Sequence, residues 1–277
     1  MHNLWFLLLA ILPSLVLIFY IFKKDRLHPE PPMQLLKAFT YGVISGLLAM
    51  AASAFLMNLG LHGGEPDASL SANLSLAFWG AAVPEELCKL LMLWLFLRKC
   101  ADFDEHVDGI VYAVCVGMGF AALENCLYIF TELYDGGHIS WANAVSGTVQ
   151  LSITRGLLSV PGHFGFAVLM GYFYSCAYFT PQRKTEFLIW AFVAPVAAHT
   201  LFDLLLFETA YVPVVLQLLL MVLFFAGFFF LQKQGSRRIA ASLREDAERE
   251  LMAQEMPSPE DTPEVPDGPD QPEENQA

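Results

Sequence analysis

The chain has 277 residues, 56% of them apolar, with 23 phenylalanines and a formal net charge of −13. The apolar share exceeds the ~45–50% of ordinary soluble domains and excludes a simple water-soluble enzyme. The acidic balance, with no basic stripe, excludes a nucleic-acid-binding surface.

Apolar runs of about 20 residues, the length that crosses ~30 Å of hydrocarbon, predict an all-α polytopic bundle of about seven spans. They lie near 3–22, 35–59, 72–97, 107–131, 159–180, 186–207 and 211–231. The segment 142–158 is weaker, because it contains Gln150 and Arg155, and reads as an amphipathic or partly re-entrant helix leading into the fifth span. No basic region precedes the first span and no small-residue cleavage site is evident, so it reads as a retained anchor rather than a signal peptide.

Lys and Arg accumulate in cytoplasmic loops. Lys23, Lys24, Arg26 and Lys37 flank the first connection, Arg98 and Lys99 the third, Arg183 and Lys184 the fifth, and Lys233, Arg237 and Arg238 follow the last span. The intervening stretches LHGGEPDAS, ELYDGGHISWANA and FETAYVP have none. The pattern predicts an outer N-terminus and a cytoplasmic C-terminus. The domain plan is an N-terminal anchor and cytoplasmic loop over 1–34, a membrane-embedded core over 35–232, and a cytoplasmic segment over 233–277. That last segment opens with a charged stretch, SRRIAASLREDAEREL, suited to a short surface helix. From Met256 onward a Pro-rich acidic tail without Lys or Arg has too little apolar surface to fold. The five cysteines show no CxxC spacing, which argues against a disulfide framework.

The third span, WGAAVPEELCKLLMLWLFLRKC, carries Glu85, Glu86 and Lys89 near its middle. An ionisable group at the centre of a span costs about 2.5–3.5 kcal/mol on insertion scales, so each needs a partner or a function. Glu85 and Lys89 stand four apart on one helix face and can pair there, while Glu86 points about 100° away; either carboxylate can be the general base with the other orienting it, and the pairing favours Glu86 as the proton-exchanging group. Pro84 lacks an N–H and can loosen the ladder just before them. The fourth span carries Glu124 and Asn125, with Phe120 one turn earlier and a small-residue run (Gly117, Gly119, Ala121, Ala122) that permits close packing. His163 follows a Pro-Gly pair in the fifth span, and His199 and Asp203 stand four apart in the sixth. With the predicted topology, all of these fall between the midplane and the outer surface, so they can meet in one outward-facing cavity.

A carboxylate in a low-dielectric pocket suits a general base that activates water, and nearby histidines suit oxyanion stabilisation or metal binding. There is no HExxH and no GxSxG, so the usual zinc and serine signatures are absent. The same residues also serve a proton-coupled carrier, which would more often show paired repeats, or a non-catalytic scaffold that binds single-pass helices.

EELCK (Glu85, Glu86, Lys89) resembles the EExxK motif of PrsW-type intramembrane proteases, FAALE (Phe120, Glu124) their FxxxE, and HTLFD (His199, Asp203) their HxxxD. VDGIVYA and SVPGHFGFAVLMGY are also similar, and the likeness covers about residues 80–207. It implies a peptidase using Glu85, Glu86, Glu124, His163, His199 and Asp203, supported by Lys89, Phe120 and Asn125, the last as an extra donor. The resemblance extends to the type II CAAX prenyl proteases, which carry EExxxR and FxxxH. Lys89 and Glu124 stand at the comparable places here, which argues against a prenyl-cysteine substrate. It further implies a multi-pass protein of the bacterial cytoplasmic membrane, in contact with the lipid bilayer. Its substrate would be a single-pass protein of the anti-sigma-factor type, cut first on the outer side. The prenyl-protease likeness favours a metal-free glutamate mechanism. The alternative cofactor is a divalent metal such as zinc, held by His163, His199 and Glu124.

Overall fold

The computed structural model describes residues 3–24, 29–67 and 69–207, together with 222 and 226. The predicted seventh span, the basic residues after it, Arg26 and the acidic tail lie outside them, apart from those two positions. Among the described residues the regular structure is helical throughout: α1 (Asn3–Lys24), α2 (Pro32–Asn58), α3 (Leu70–Ser75), a π-helical turn (Leu76–Ala82), α4 (Val83–Leu97), α5 (His106–Asp135), α6 (Trp141–Leu157), α7 (Ser159–Phe179) and α8 (Lys184–Phe207). These helices coincide with the apolar runs. Proline stands in the first turn of α2, where a missing N–H costs nothing. Ser140 Oγ caps α6 by accepting the Asn143 N–H. A reciprocal capping box between Glu105 and Asp108 starts α5.

Among the described residues, five stretches are long and apolar enough to cross a membrane: Trp5–Lys23, Pro32–Asn58, His106–Tyr134, Trp141–Phe179 and Pro181–Phe207. The fourth contains both α6 and α7, which part at Leu158, where φ is −115° and ψ −59°. The amphipathic segment expected over 142–158 is thus a full helix of 17 residues with its own caps. The expected span 72–97 is not among the five, being divided into α3, the π turn and α4 and carrying three ionisable residues.

α5 is the centre of the bundle. In its most apolar window 72% of residues are buried, against 22% for α1 and for α2 and 28% for α8. The small residues expected to allow close approach are what brings its neighbours in. A Cβ on Gly119 would fall on the Phe39 carbonyl of α2, and one on Gly42 would fall on the Val116 carbonyl of α5. On the opposite side Gly117 faces Ala167, and Gly171 of α7 faces the Gly109 backbone. Apolar clusters then fill the layers, with Leu93, Phe96, Tyr112, Met170 and Tyr174 joining α4, α5 and α7. A second polar anchor lies near the start of α5, where the Tyr112 hydroxyl donates to the buried Glu30 carboxylate.

The π turn arises from the sequence around Pro84. An α-helical ladder would give the Gly80 carbonyl the N–H of residue 84, and proline has none. The Val83 N–H reaches back five residues to Phe78 O, and the Gly80 carbonyl accepts from Ser53 Oγ of α2 at 2.6 Å. The extra residue in this turn rotates the first turn of α4 about its axis and so re-aims Glu85 and Glu86.

Candidate active site

Four helices converge on one polar cluster. α4 supplies Glu85, Glu86 and Lys89, α5 supplies Glu124, α7 His163, and α8 His199 and Asp203. Glu86, Lys89, His163 and His199 are between 0% and 4% exposed, whereas Glu85, Glu124 and Asp203 are 15%, 20% and 13% exposed. The buried four form the floor of the site, and the three accessible carboxylates line its approach.

Lys89 organises the floor. Its Nζ lies 2.8 Å from Glu86 Oε1, 3.4 Å from Glu85 Oε2 and 3.1 Å from His163 Nδ1. The Phe120 ring covers it, with the centroid 3.8 Å away. An ammonium has three donors and no acceptor, so these contacts use all three and require His163 Nδ1 to accept. His163 is then the neutral tautomer with the proton on Nε2, which donates to Glu124 Oε2 at 2.8 Å. His199 Nδ1 lies 2.9 Å from Glu86 Oε1 and donates to it. Its Nε2 faces Asp203 Oδ2 at 3.4 Å and Glu85 Oε2 at 3.9 Å. Phe166 stacks on the His199 ring, with centroids 4.6 Å apart and an interplanar angle of 18°.

Two expectations change here. The i,i+4 pairing of Glu85 with Lys89, which favoured Glu86 as the proton-exchanging carboxylate while leaving Glu85 as the other choice, is the longer contact: Lys89 is nearer Glu86, three residues back, and His199 holds that carboxylate too. Glu85 is the more loosely held and the more accessible of the two. Asn125, expected to be an extra donor in the site, turns away: its Nδ2 donates to Ala10 O of α1 at 3.2 Å, and its Oδ1 accepts from Arg155 Nε at 2.8 Å.

Arg155 is the residue the sequence reading missed. It counted only as a flaw in an apolar run, yet its Nη2 lies 2.8 Å from Glu124 Oε2, the same oxygen that accepts from His163. The signal available in the sequence was its cost: an arginine in an apolar run needs a carboxylate partner.

The side chains whose donor atoms lie within 4.8 Å of one another, and could hold a metal ion, are Glu85, Glu86, His163 and His199. Glu124 is outside this set, unlike in the expected triad of His163, His199 and Glu124, because its oxygen is turned to His163 Nε2 and Arg155. Two carboxylates and two imidazoles are a donor set that suits zinc. Glu86 Oε2, buried without a hydrogen-bond partner in the protein, is an atom that such an ion would satisfy. The donor set therefore fits a divalent metal, which would displace the protons that Lys89 and the two imidazoles now place among these atoms.

The family model described as "PrsW family intramembrane metalloprotease" matches residues 30–228. "Protease PrsW" of Clostridioides difficile is 33% identical over 201 residues, covering 72% of this chain and 78% of that protein. The proteins of the same name from Geobacillus kaustophilus and Bacillus subtilis are each 30% identical, over 71% of this chain and 77% and 80% of theirs. No solved structure matches the chain. The family's description favours the metal alternative over the metal-free mechanism expected from the prenyl-protease likeness. With this match and the several long apolar helices, the chain is a multi-pass membrane peptidase belonging to the PrsW family of intramembrane proteases.

Proposed function

We propose that Glu85 is the general base of peptide-bond hydrolysis in this protein. The observation that carries the reading is the division of the cluster into a floor tied by Lys89 and an accessible Glu85 above it. Glu85 takes a proton from water as the water oxygen attacks the carbonyl carbon of the scissile bond. It then returns the proton to the amide nitrogen as the C–N bond breaks. Glu86 fixes Lys89 and His199, and Lys89 fixes His163. Asp203, one turn beyond His199 on the same helix, orients that imidazole. His199 faces carboxylates through both ring nitrogens and carries a proton on each, and its Nε2, on the side of the accessible carboxylates, is the donor for the developing oxyanion. A divalent ion held by Glu85, Glu86, His163 and His199 would take the place of the protons now shared among these groups and would supply, instead of the Nε2 proton, a Lewis acid that polarises the scissile carbonyl.

The substrate in this reading is a single-pass regulatory protein of the anti-sigma-factor type. It is cut first on the outer side of the bacterial cytoplasmic membrane, in an envelope-stress cascade. Support comes from the motif resemblance, from the bacterial relatives named as proteases, and from the Lys and Arg distribution that puts the N-terminus outside. The test compares lengths and new N-termini of membrane proteins in cells carrying the wild type or Glu85→Gln under envelope stress. One single-pass protein shortened on its outer side only with the wild type is expected. Equal fragment patterns in both strains, with the protein present, would overturn the proposal.

A further inference from the structure

We propose that Arg155 is a positioning residue for the cleavage reaction, acting on the catalytic cluster through Glu124; this deepens, and rests on, the protease reading. α6 contributes no other group to the site. Its arginine is held on three sides: Nε donates to Asn125 Oδ1 at 2.8 Å, Nη2 to Ser159 Oγ at 3.1 Å, and the guanidinium carbon lies 4.0 Å from the Tyr128 ring centroid. Asn125 is fixed in turn by Ala10 O of α1. A guanidinium so restrained presents Nη2 to Glu124 Oε2 in one orientation.

The consequence runs through a single oxygen. Glu124 Oε2 accepts from both Arg155 and His163 Nε2, each at 2.8 Å. Because that oxygen demands the Nε2 proton, His163 Nδ1 is left to accept from Lys89, and Lys89 is directed onto Glu86 and Glu85. Lys89 fixes this tautomer from the α4 end, and Arg155 fixes the direction of the carboxylate that receives its proton at the other. Without Arg155, Glu124 keeps His163 alone and turns about its own side-chain torsions. The imidazole plane of His163, and the Lys89 bond beyond it, then lose their fixed direction. A clamp that merely held α6 in the bundle would not need to share the catalytic oxygen.

The experiment uses the full chain in lipid nanodiscs with ¹⁵N-labelled arginine, Arg155 being assigned by its loss in Arg155→Met. The wild type is expected to show an Arg155 guanidinium with slowed rotation about its C–N bonds, and a freely rotating guanidinium would overturn the proposal even if no variant folded. Cleavage is read on the fragment that depends on Glu85. Arg155→Met is expected to lower the turnover rate by about 100-fold with little change in KM, as a displacement of about 1 Å in a catalytic group does. Arg155→Lys, whose single nitrogen lacks the planar fork that reaches Asn125 through Nε and Glu124 through Nη2, is expected to restore only a minor part. The double variant Arg155→Met/Glu124→Gln is expected to be no worse than Glu124→Gln alone. Multiplicative losses in the double variant, or a loss confined to KM, would overturn the role through Glu124. If no Glu85-dependent fragment exists, the protease reading fails, while the restraint on the Arg155 guanidinium is still measured.

Discussion

Replacing Lys89 by methionine keeps the length of the side chain and removes the ammonium. The change deletes the bonds to Glu86, Glu85 and His163 and the contact with Phe120. In a soluble protein, breaking a buried ion pair costs about 3–5 kcal/mol. Here two of the three partners lie on the same helix, three and four residues back. Those two contacts are available in the inserted helix before it packs, so they largely cancel between the packed and unpacked states. What packing adds is the bond to His163 and the Phe120 contact. Interhelical hydrogen bonds in membranes average ~0.6 kcal/mol and reach about 1.7, and a cation–π contact adds about 0.5–1 kcal/mol. The expected loss of stability is therefore about 1–3 kcal/mol, measured by reversible unfolding in mixed micelles, while cleavage falls by about 100-fold because both carboxylates lose their anchor. A stability loss at or above the soluble-protein figure of about 3–5 kcal/mol would show that the Lys89 contacts form only on packing. Cleavage within a few-fold of the wild type would show that Lys89 does not organise the cluster.

Glu85→Gln is expected to abolish cleavage and leave unfolding unchanged, because Glu85 is partly exposed and its nearest cation is 3.4 Å away; a destabilised variant would point to a structural role instead. Pro84→Ala restores an N–H that can bond the Gly80 carbonyl. It is expected to shorten the π turn, re-aim Glu85 and Glu86, and lower cleavage with stability kept or raised, read by paired activity and unfolding assays. Gly119→Ala drives a methyl group into the Phe39 carbonyl and is expected to cost about 1–3 kcal/mol as overpacking does, seen as a lowered unfolding midpoint. Elemental analysis of the purified wild type is expected to find a divalent metal that strong chelators remove, and that Glu86→Ala/His199→Ala does not retain.

Much of the plan was legible because hydrocarbon imposes it. Apolar runs over 3–22, 35–59, 107–131, 159–180 and 186–207 had to become long helices, and they did to within a few residues. The ionisable residues inside those runs had to find one another, which made Glu85, Glu86, Glu124, His163, His199 and Asp203 readable as a group. What could not be read was which partner each would choose. A lysine reaches a carboxylate at i−3 as readily as at i−4, and the choice was made by His163 on α7 and His199 on α8, which hold Lys89 and Glu86 against each other. Asn125, expected as an extra donor, bonds elsewhere, because no local pattern shows that the Ala10 carbonyl and Arg155 stand beside it. Glu30 drew no attention among the basic residues of the first connection, although it is buried against Tyr112 of α5.

The carboxylates of α4 and the histidine of α8 that closes the floor are 113 residues apart in the chain. A ribosome feeding helices into the membrane delivers α4 with its glutamates long before α8 exists. Until residue 203 has emerged and α8 has docked, Glu86 has no imidazole beside it and Asp203 has nothing to orient. On the proposed roles of these residues a nascent or truncated chain is expected to be inert, so a protease embedded among the membrane's other newly made proteins would become able to cut only once α8 has joined the cluster.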